Sequence, residues 1–228
     1  PVAVEMGQAF KRLGSQVSII EQLDILGKDD VDARGIVIQS LKDEGITLHD
    51  HAQISEVKHQ EGSITLTFQK GEKVHEIEGS HVLIAAGRTP NIEGLNLAAA
   101  RVDADQSGIS VDARLRTSNK RIFAAGDVTG GFLFTHIAGY DAGIIIRNAL
   151  FKLPAKADYR ATPWVTYSDP ELAHVGLRED AARARYGDIR VVQSSFHDND
   201  SARCEKQTQG FIKAIVHKSG KILGVRCI

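Results

Sequence analysis

Cysteine is scarce in this chain: 228 residues hold only Cys204 and Cys227. Neither has a close-spaced partner, so neither a zinc site nor a redox CxxC or CxxxxC pair can be read from the sequence. A disulfide between them stays open, but buried free thiols in a reducing compartment, and hence a cytoplasmic location, are the expectation. An excess of either charge is also missing. Lys and Arg number 28 against 29 Asp and Glu, a net charge of -1, which excludes any general attraction for nucleic acid or an anionic membrane. Long apolar runs are absent too; stretches such as residues 143–146 are far too short to span a bilayer. No secretory or transit segment is read, and the first residue is Pro1 rather than methionine. What remains is 42% hydrophobic, enough for real cores, in a length that predicts two compact units or one and a half.

The chain is organised around residues 121–138, RIFAAGDVTGGFLFTHIA. Ile122, Phe123, Ala124, Ala125 and Gly126 read as a short buried strand with Asp127 just beyond its end, where open α/β sheets place their ligands. Gly130 and Gly131 lead into an apolar helical run from about His136, whose start presents orphan N–H groups toward the site. By itself Asp127 also reads as the cap of a turn after a buried strand.

Residues 1–13 carry apolar side chains at Val2, Ala3, Met6, Ala9, Phe10 and Leu13, the spacing of one buried helix face. Gly14 ends the helix. Residues 15–21, SQVSIIE, form a strand that closes on Glu21. Helix, turn, strand and terminal acid are the last two thirds of a βαβ dinucleotide unit; the first two glycines of a GxGxxG turn would precede Pro1, with Ala3 at the third. A carboxylate at this strand end accepts hydrogen bonds from ribose hydroxyls and repels a 2′-phosphate, which favours NAD over NADP; alone it is a polar strand end.

Asp29 or Asp30 caps a helix over residues 31–44, with Val31, Gly35, Ile38 and Leu41 toward the core. The period then changes to two. Residues 52–59, 63–69 and 73–78 predict an antiparallel three-stranded meander. HVLIAA, residues 81–86, reads as a buried strand, followed by GRTPN at residues 87–91, where Gly87 can take a positive φ and admit a cofactor to the backbone. A helix dense in Ala and Ile, buried on most sides, spans residues 137–151, and a linker follows at residues 153–162. Beyond Pro163 the prediction is a strand (WVTYS), a short helix over residues 178–186, a strand over 189–195, and a hairpin of residues 210–217 and 221–227 joined by KSGK.

IFAAGD closely resembles the second flavin-binding motif of the pyridine nucleotide-disulfide oxidoreductases, the family of dihydrolipoyl dehydrogenase, glutathione reductase and mercuric reductase. AAGRTPN is similar to that family's ATGRxPN signature, with Ala86 in place of Thr. The resemblance implies that Asp127 binds the ribityl chain of FAD and that Leu133, Phe134, Thr135 and His136 line the flavin at the helix entrance. It implies that Pro1, Val2, Ala3 and Glu5 are the remainder of the pyridine nucleotide site, with Glu5 near the nicotinamide and Gly87 contacting the nucleotide. The implied fold class is α/β: a Rossmann-type NAD-binding domain with an antiparallel meander (residues 1–87, first strand missing), a returning segment of the FAD-binding domain (88–158), and the start of an α+β interface domain that makes a homodimer (159–228).

The implied function is that of a fragment of an FAD- and NAD-dependent disulfide oxidoreductase, dihydrolipoyl dehydrogenase-like. Its cysteine pair and HisPro base lie on absent segments, so no catalytic residue falls within the chain. A mercuric reductase-like or other flavoprotein reductase is the alternative, and for the isolated chain a non-catalytic NAD-binding and dimerisation module. This reading fails if Gly87 and Asp127 lie on unrelated surfaces with no parallel sheet ending beside either. Other candidates fall away. His49 and His51 lack a third metal ligand at a suitable spacing. His174, His197 and His217 read as surface or satisfied core groups, Cys204 as a structural substitution despite Arg203, and Arg178, Glu179 and Asp180 as a solvated helix start.

Overall fold

The computed structural model describes residues 1–228 as two compact units. The first joins Pro1–Ala85 with Pro163–Ile228, and the second is Ala86–Thr162.

The first unit opens with α1 (Val2–Arg12), which ends as the sequence predicts. Gly14 has a φ of +101°, its N–H bonds Lys11 O, and the N–H of Ser15 bonds Phe10 O. Those two bonds satisfy carbonyls that a helix end otherwise leaves orphaned. β1 (Ser18–Ile20) pairs in parallel with β2 (Thr47–His49) across α2 (Val31–Asp43). Asp30 caps α2, its carboxylate accepting from the N–H groups of Asp32 and Ala33. β3 (Ala52–Gln60), β4 (Ser63–Lys70) and β5 (Lys73–Gly79) then form the expected antiparallel meander, closed by Phe68 and Leu66 beneath it.

The later part of this unit is one antiparallel sheet in the order β10 (Ile189–Ser195), β11 (Phe211–His217), β12 (Ile222–Cys227), β9 (Leu172–Gly176), β8 (Pro163–Thr166). α4 (Glu179–Tyr186) packs on it through Ala182, Ile215 and Leu223. Leu172, Phe211 and Ile228 of this segment share one core with Val4, Ile19, Val37, Leu41 and Ile46. Polar ties repeat the join. Gln8 is buried, donates to Glu44 Oε1 (2.7 Å) and Asp169 O (2.9 Å), and accepts from Asp169 N (2.8 Å).

The second unit has little regular structure: a two-residue hairpin of β6 (Ala104–Asp105) and β7 (Gly108–Ile109), a 3₁₀ turn at Gly126–Thr129, and α3 (Thr135–Ala149). Turns bonded to side chains do much of the holding. Asp112 Oδ1 accepts from the N–H groups of Arg114 and Arg116, and buried Thr117 bonds the carbonyls of Asn119 and Ile122.

Several expectations are corrected. The two helix faces are partly rotated from the predicted ones: α1 buries Val4, Gly7 and Gln8, keeps Ala3 against the core and exposes Val2, Met6, Ala9, Phe10 and Leu13, while α2 buries Ala33, Val37 and the expected Leu41, packs Ile38 on the same core and exposes Val31 and Gly35. The i, i+4 spacing marks a face, but the small Gly7 lets Ile19 approach α1 there, and Gln8 finds polar partners inside. α3 is buried on one side only, through Ile137, Asp141 and Ile144, with Ile146 exposed. Residues 81–86 and 122–126 are not strands. Val82, Leu83 and Ile84 are exposed coil, and the second stretch has only the single bridge Arg116–Phe123. No parallel sheet ends beside Gly87 or Asp127, because β1–β2 is the only parallel pair. Apolar runs of this kind become strands when both edges find partners, and here no strand pairs with residues 81–86.

Candidate functional site

Glu21 stands one residue past the carboxyl end of β1, with its N–H on His49 O at 2.8 Å. Its Oε1 accepts from the N–H of Leu23 at 3.0 Å, which orients the carboxylate at the end of a parallel pair. Pro1 is the N-cap of α1, Val2 is exposed, and Ala3 packs against the core, so the small residue at the third position permits close helix–sheet packing. Glu5 Oε1 accepts from the N–H of Tyr167 at 3.0 Å, which engages one of its two oxygens.

In the second unit Asp127 lies inside the 3₁₀ turn rather than after a strand. Glycine is required to build that turn. Gly130 has a φ of +69°, and a Cβ there would stand 1.6 Å from Ser107 O; Gly126, at +68°, would meet Ala138 Cβ at 2.8 Å. The buried carboxylate of Asp141 fixes the turn from below, accepting from Gly126 N (3.0 Å) and from the Tyr159 hydroxyl (2.7 Å). Burial, and then this bond to Asp141, raise the Tyr159 pKa far above its ordinary value, so its proton stays in place.

One residue ties the two motifs together. Arg88, next to Gly87, donates from Nη1 to Leu133 O at 2.7 Å, and the same atom is 3.7 Å from Asp127 Oδ2. The GRTPN segment, the acid of AAGD and the entrance to α3 therefore converge. Gly87, Asp127 and Leu133 stand in motifs of the sequence, whereas the roles of Arg88 and Asp141 emerge from their contacts. The arginine of GRTPN and a lone acid in an apolar helix were the available signals. Phe134 is the N-cap of α3, with no side-chain cap bond, and its ring stacks on His136 at 5.3 Å; Thr135 begins the helix. Gly87, with a φ of +115°, has nothing within 4 Å of where a Cβ would be, so its backbone is open to close approach.

His51 comes together with Asp24 and Asp50, ligand atoms within 4.8 Å of one another, but Arg34 already pairs with Asp24 (3.1 Å) and Lys70 with Asp50 (2.7 Å). His49 instead packs on Phe68, with ring centroids 4.8 Å apart. His174 is buried and stacked on Trp164, with Nε2 on Gly176 O (2.8 Å) and Nδ1 unpaired, so it is only half a satisfied core group. Both cysteines are free. Cys204 is exposed, against the expectation of burial, because α5 (Asp200–Cys204) is a surface turn of helix; Cys227 is half-buried.

Nearly all of this chain falls within two sequence profiles. The profile of the pyridine nucleotide-disulphide oxidoreductases matches residues 1–142, and that of the same family's dimerisation domain matches residues 162–228. The chain belongs to the pyridine nucleotide-disulphide oxidoreductase family. It is 31% identical over 229 residues to a dihydrolipoyl dehydrogenase of Bacillus subtilis, covering 100% of this chain and 49% of the relative. It is 33% identical over 230 residues to a mercuric reductase of Staphylococcus aureus, covering 100% and 42%. Among solved structures, the Cu(II) complex of the HOCl-induced flavoprotein disulfide reductase RclA from Escherichia coli superimposes with a TM-score of 0.89 at 30% identity, covering 100% of this chain and 53% of that one. LpdA from Mycobacterium tuberculosis gives a TM-score of 0.89 at 26% identity, covering 98% and 49%. The chain therefore spans about half the length of the curated relatives it matches. No helix is long and apolar enough to cross a membrane.

Proposed function

We propose that this chain is the nicotinamide-nucleotide and second flavin segment of an FAD-dependent, NAD(H)-preferring disulfide oxidoreductase, dihydrolipoyl dehydrogenase-like. Residues 1–87 would form the NAD part, 88–158 the returning FAD part, and 159–228 the beginning of a dimerisation domain that makes a homodimer. The supporting observation is the convergence on Arg88, which joins the GRTPN segment to Asp127 and to the start of α3.

FAD supplies the hydride- and electron-accepting chemistry, which the protein alone lacks. The part of this chain is to hold and orient. Asp127, half exposed, accepts hydrogen bonds from ribityl hydroxyls. The α3 entrance (Leu133, Phe134, Thr135, His136) lines the flavin and stabilises partial negative charge at a helix start. Glu21 accepts from the adenine ribose through the oxygen that Leu23 leaves free, α1 presents Pro1, Val2 and Ala3, and Glu5 serves the nicotinamide end. Neither Cys204 nor Cys227 has the spacing of a redox pair, so the disulfide would come from the remainder of a full-length protein.

A mercuric reductase-like protein is the second reading, favoured by relatives of that kind at 33% identity. Whether the 228 residues alone act only as a nucleotide-binding module is tested by the visible spectrum of the purified chain, since a stoichiometric flavin band refutes the module. Glu21→Arg should shift the preference from NADH toward NADPH by about tenfold or more, read by titration of both. An unchanged ratio places Glu21 away from the ribose.

A further inference from the structure

We propose that the second unit carries an anion pocket for small phosphate-bearing molecules, independent of the nucleotide and flavin assignments. It is a cavity of about 490 Å³ lined by Arg101, Ser118, Asn119, Lys120 and Arg121. Two turns build it, one at residues 100–103 and one at residues 117–121, and side chains tie them to each other. Ser118 Oγ donates to Arg101 O (3.0 Å) and accepts from Asp103 N (2.9 Å). Asn119 Nδ2 donates to Ala100 O (2.7 Å), and its Oδ1 accepts from Arg121 N (3.2 Å). Buried Val102, Thr117 and Ala124 lie beside these turns in sequence and anchor them.

The neutral polar groups of the lining are thus consumed in fixing its shape. What remains for a ligand is positive. Arg101, Lys120 and Arg121 have no carboxylate within ion-pair distance, and Lys120 spends one of its three donors on Thr117 O at 3.0 Å. Three unpaired cations on a fixed frame suit a compact anion of more than one charge, and arginine forks match phosphate oxygens in pairs. No apolar or aromatic side chain lines the cavity, so nothing there would hold a nucleobase. The ligand class is therefore a pyrophosphate-like group rather than a nucleotide.

Calorimetric titration of the 228-residue chain with inorganic pyrophosphate at low salt tests this. Saturable one-site binding is expected, weakened about tenfold by each of Arg101→Gln and Arg121→Gln, and lost as added NaCl screens the charges. Neutralising a distant pair, Arg183→Gln with Arg185→Gln on α4, should leave it unchanged. Absence of saturation, or equal loss in the α4 variant, overturns the proposal. So does binding of ADP or of a short polyglutamate peptide about tenfold tighter than pyrophosphate, since the first would require a base subsite and the second a carboxylate-selective surface. Far-ultraviolet circular dichroism of each variant separates misfolding from lost binding. A variant that misfolds is replaced by the Lys counterpart, which keeps the charge but loses the paired fork and should bind pyrophosphate more weakly than the unsubstituted chain.

Discussion

The two units are stabilised by different means. The first gathers sequence-distant strands and helices on a shared apolar core, then adds a row of buried charge. Along one face of its five-stranded sheet, Trp164, His174, Arg226 and Lys213 are successive cross-strand neighbours. The second unit has few strand residues and depends on the buried acid Asp141, the partly buried Asp112 and the buried hydroxyl of Thr117, which satisfy turn backbone. Regular sheet hydrogen bonds leave little backbone free for a ligand, whereas turns leave oriented N–H groups and glycine surfaces accessible. Asp127 lies in such a turn, and Gly87 and Arg88 lie in irregular backbone.

The largest effect should come from the charged row of the first unit. Lys213 is buried and donates to Asp30 (2.9 and 3.0 Å) and Asp32 (2.6 Å). Burial would raise the Asp30 pKa, but Lys213 and the N–H groups of Ala33 and Asp32 together hold it below the usual range. Lys213→Ala leaves a mostly buried acid without its cation and should cost about 4 kcal/mol, seen as a lower urea midpoint. A loss below about 1 kcal/mol would mean the pair behaves as an exposed one and would erase the contrast between the units.

Next is the pH response of the same row. Burial, reinforced by the charge of Arg226, lowers His174 from 6.5 to about 4. The unfolded chain therefore binds this proton more readily, so its contribution is present above about pH 6.5 and is lost as pH falls toward 4, up to about 3 kcal/mol. Asp29 works in the other direction: burial raises its pKa, against the bond from Trp164 and nearby positive charge, so its protonation favours the fold at low pH. The difference between wild type and His174→Phe isolates the histidine. The variant should show a flatter stability curve between pH 4 and 6.5, and an equal slope would show that His174 titrates normally.

Much of this architecture was legible in the sequence, for identifiable reasons. Period-two alternation gave the meander and the β11–β12 hairpin, and glycines after α1 and α2 marked their ends because only their positive φ closes those caps. What failed was local pattern without its partners. HVLIAA has the composition of a buried strand, yet a strand exists only where a neighbour supplies hydrogen bonds, and composition does not name the neighbour. The rotated face of α1 failed similarly, because Gln8 is buried through partners 36 and 161 residues away. At the candidate site, Gly87 and Asp127 were singled out by the resemblance of their motifs to those of a family, and the structure brings Arg88, the neighbour of Gly87, to Asp127. Arg88, Asp141 and Tyr159 act through contacts between distant positions, so no short window displays their roles.

The smallest effects sharpen the comparison from the side of the second unit. Asp141, itself buried, accepts from one backbone N–H and one hydroxyl. Asp141→Ala orphans both and should cost about 2 kcal/mol, whereas Tyr159→Phe removes one donor and leaves Gly126 bonded, costing about 1 kcal/mol. Hydrogen exchange locates the damage. The Gly126 amide should lose protection in Asp141→Ala and keep most of it in Tyr159→Phe, while amides of β11 and β12 change in neither. If β11 and β12 lose protection together with Gly126, the effect of Asp141 is not confined to its own unit and the contrast between the two fails.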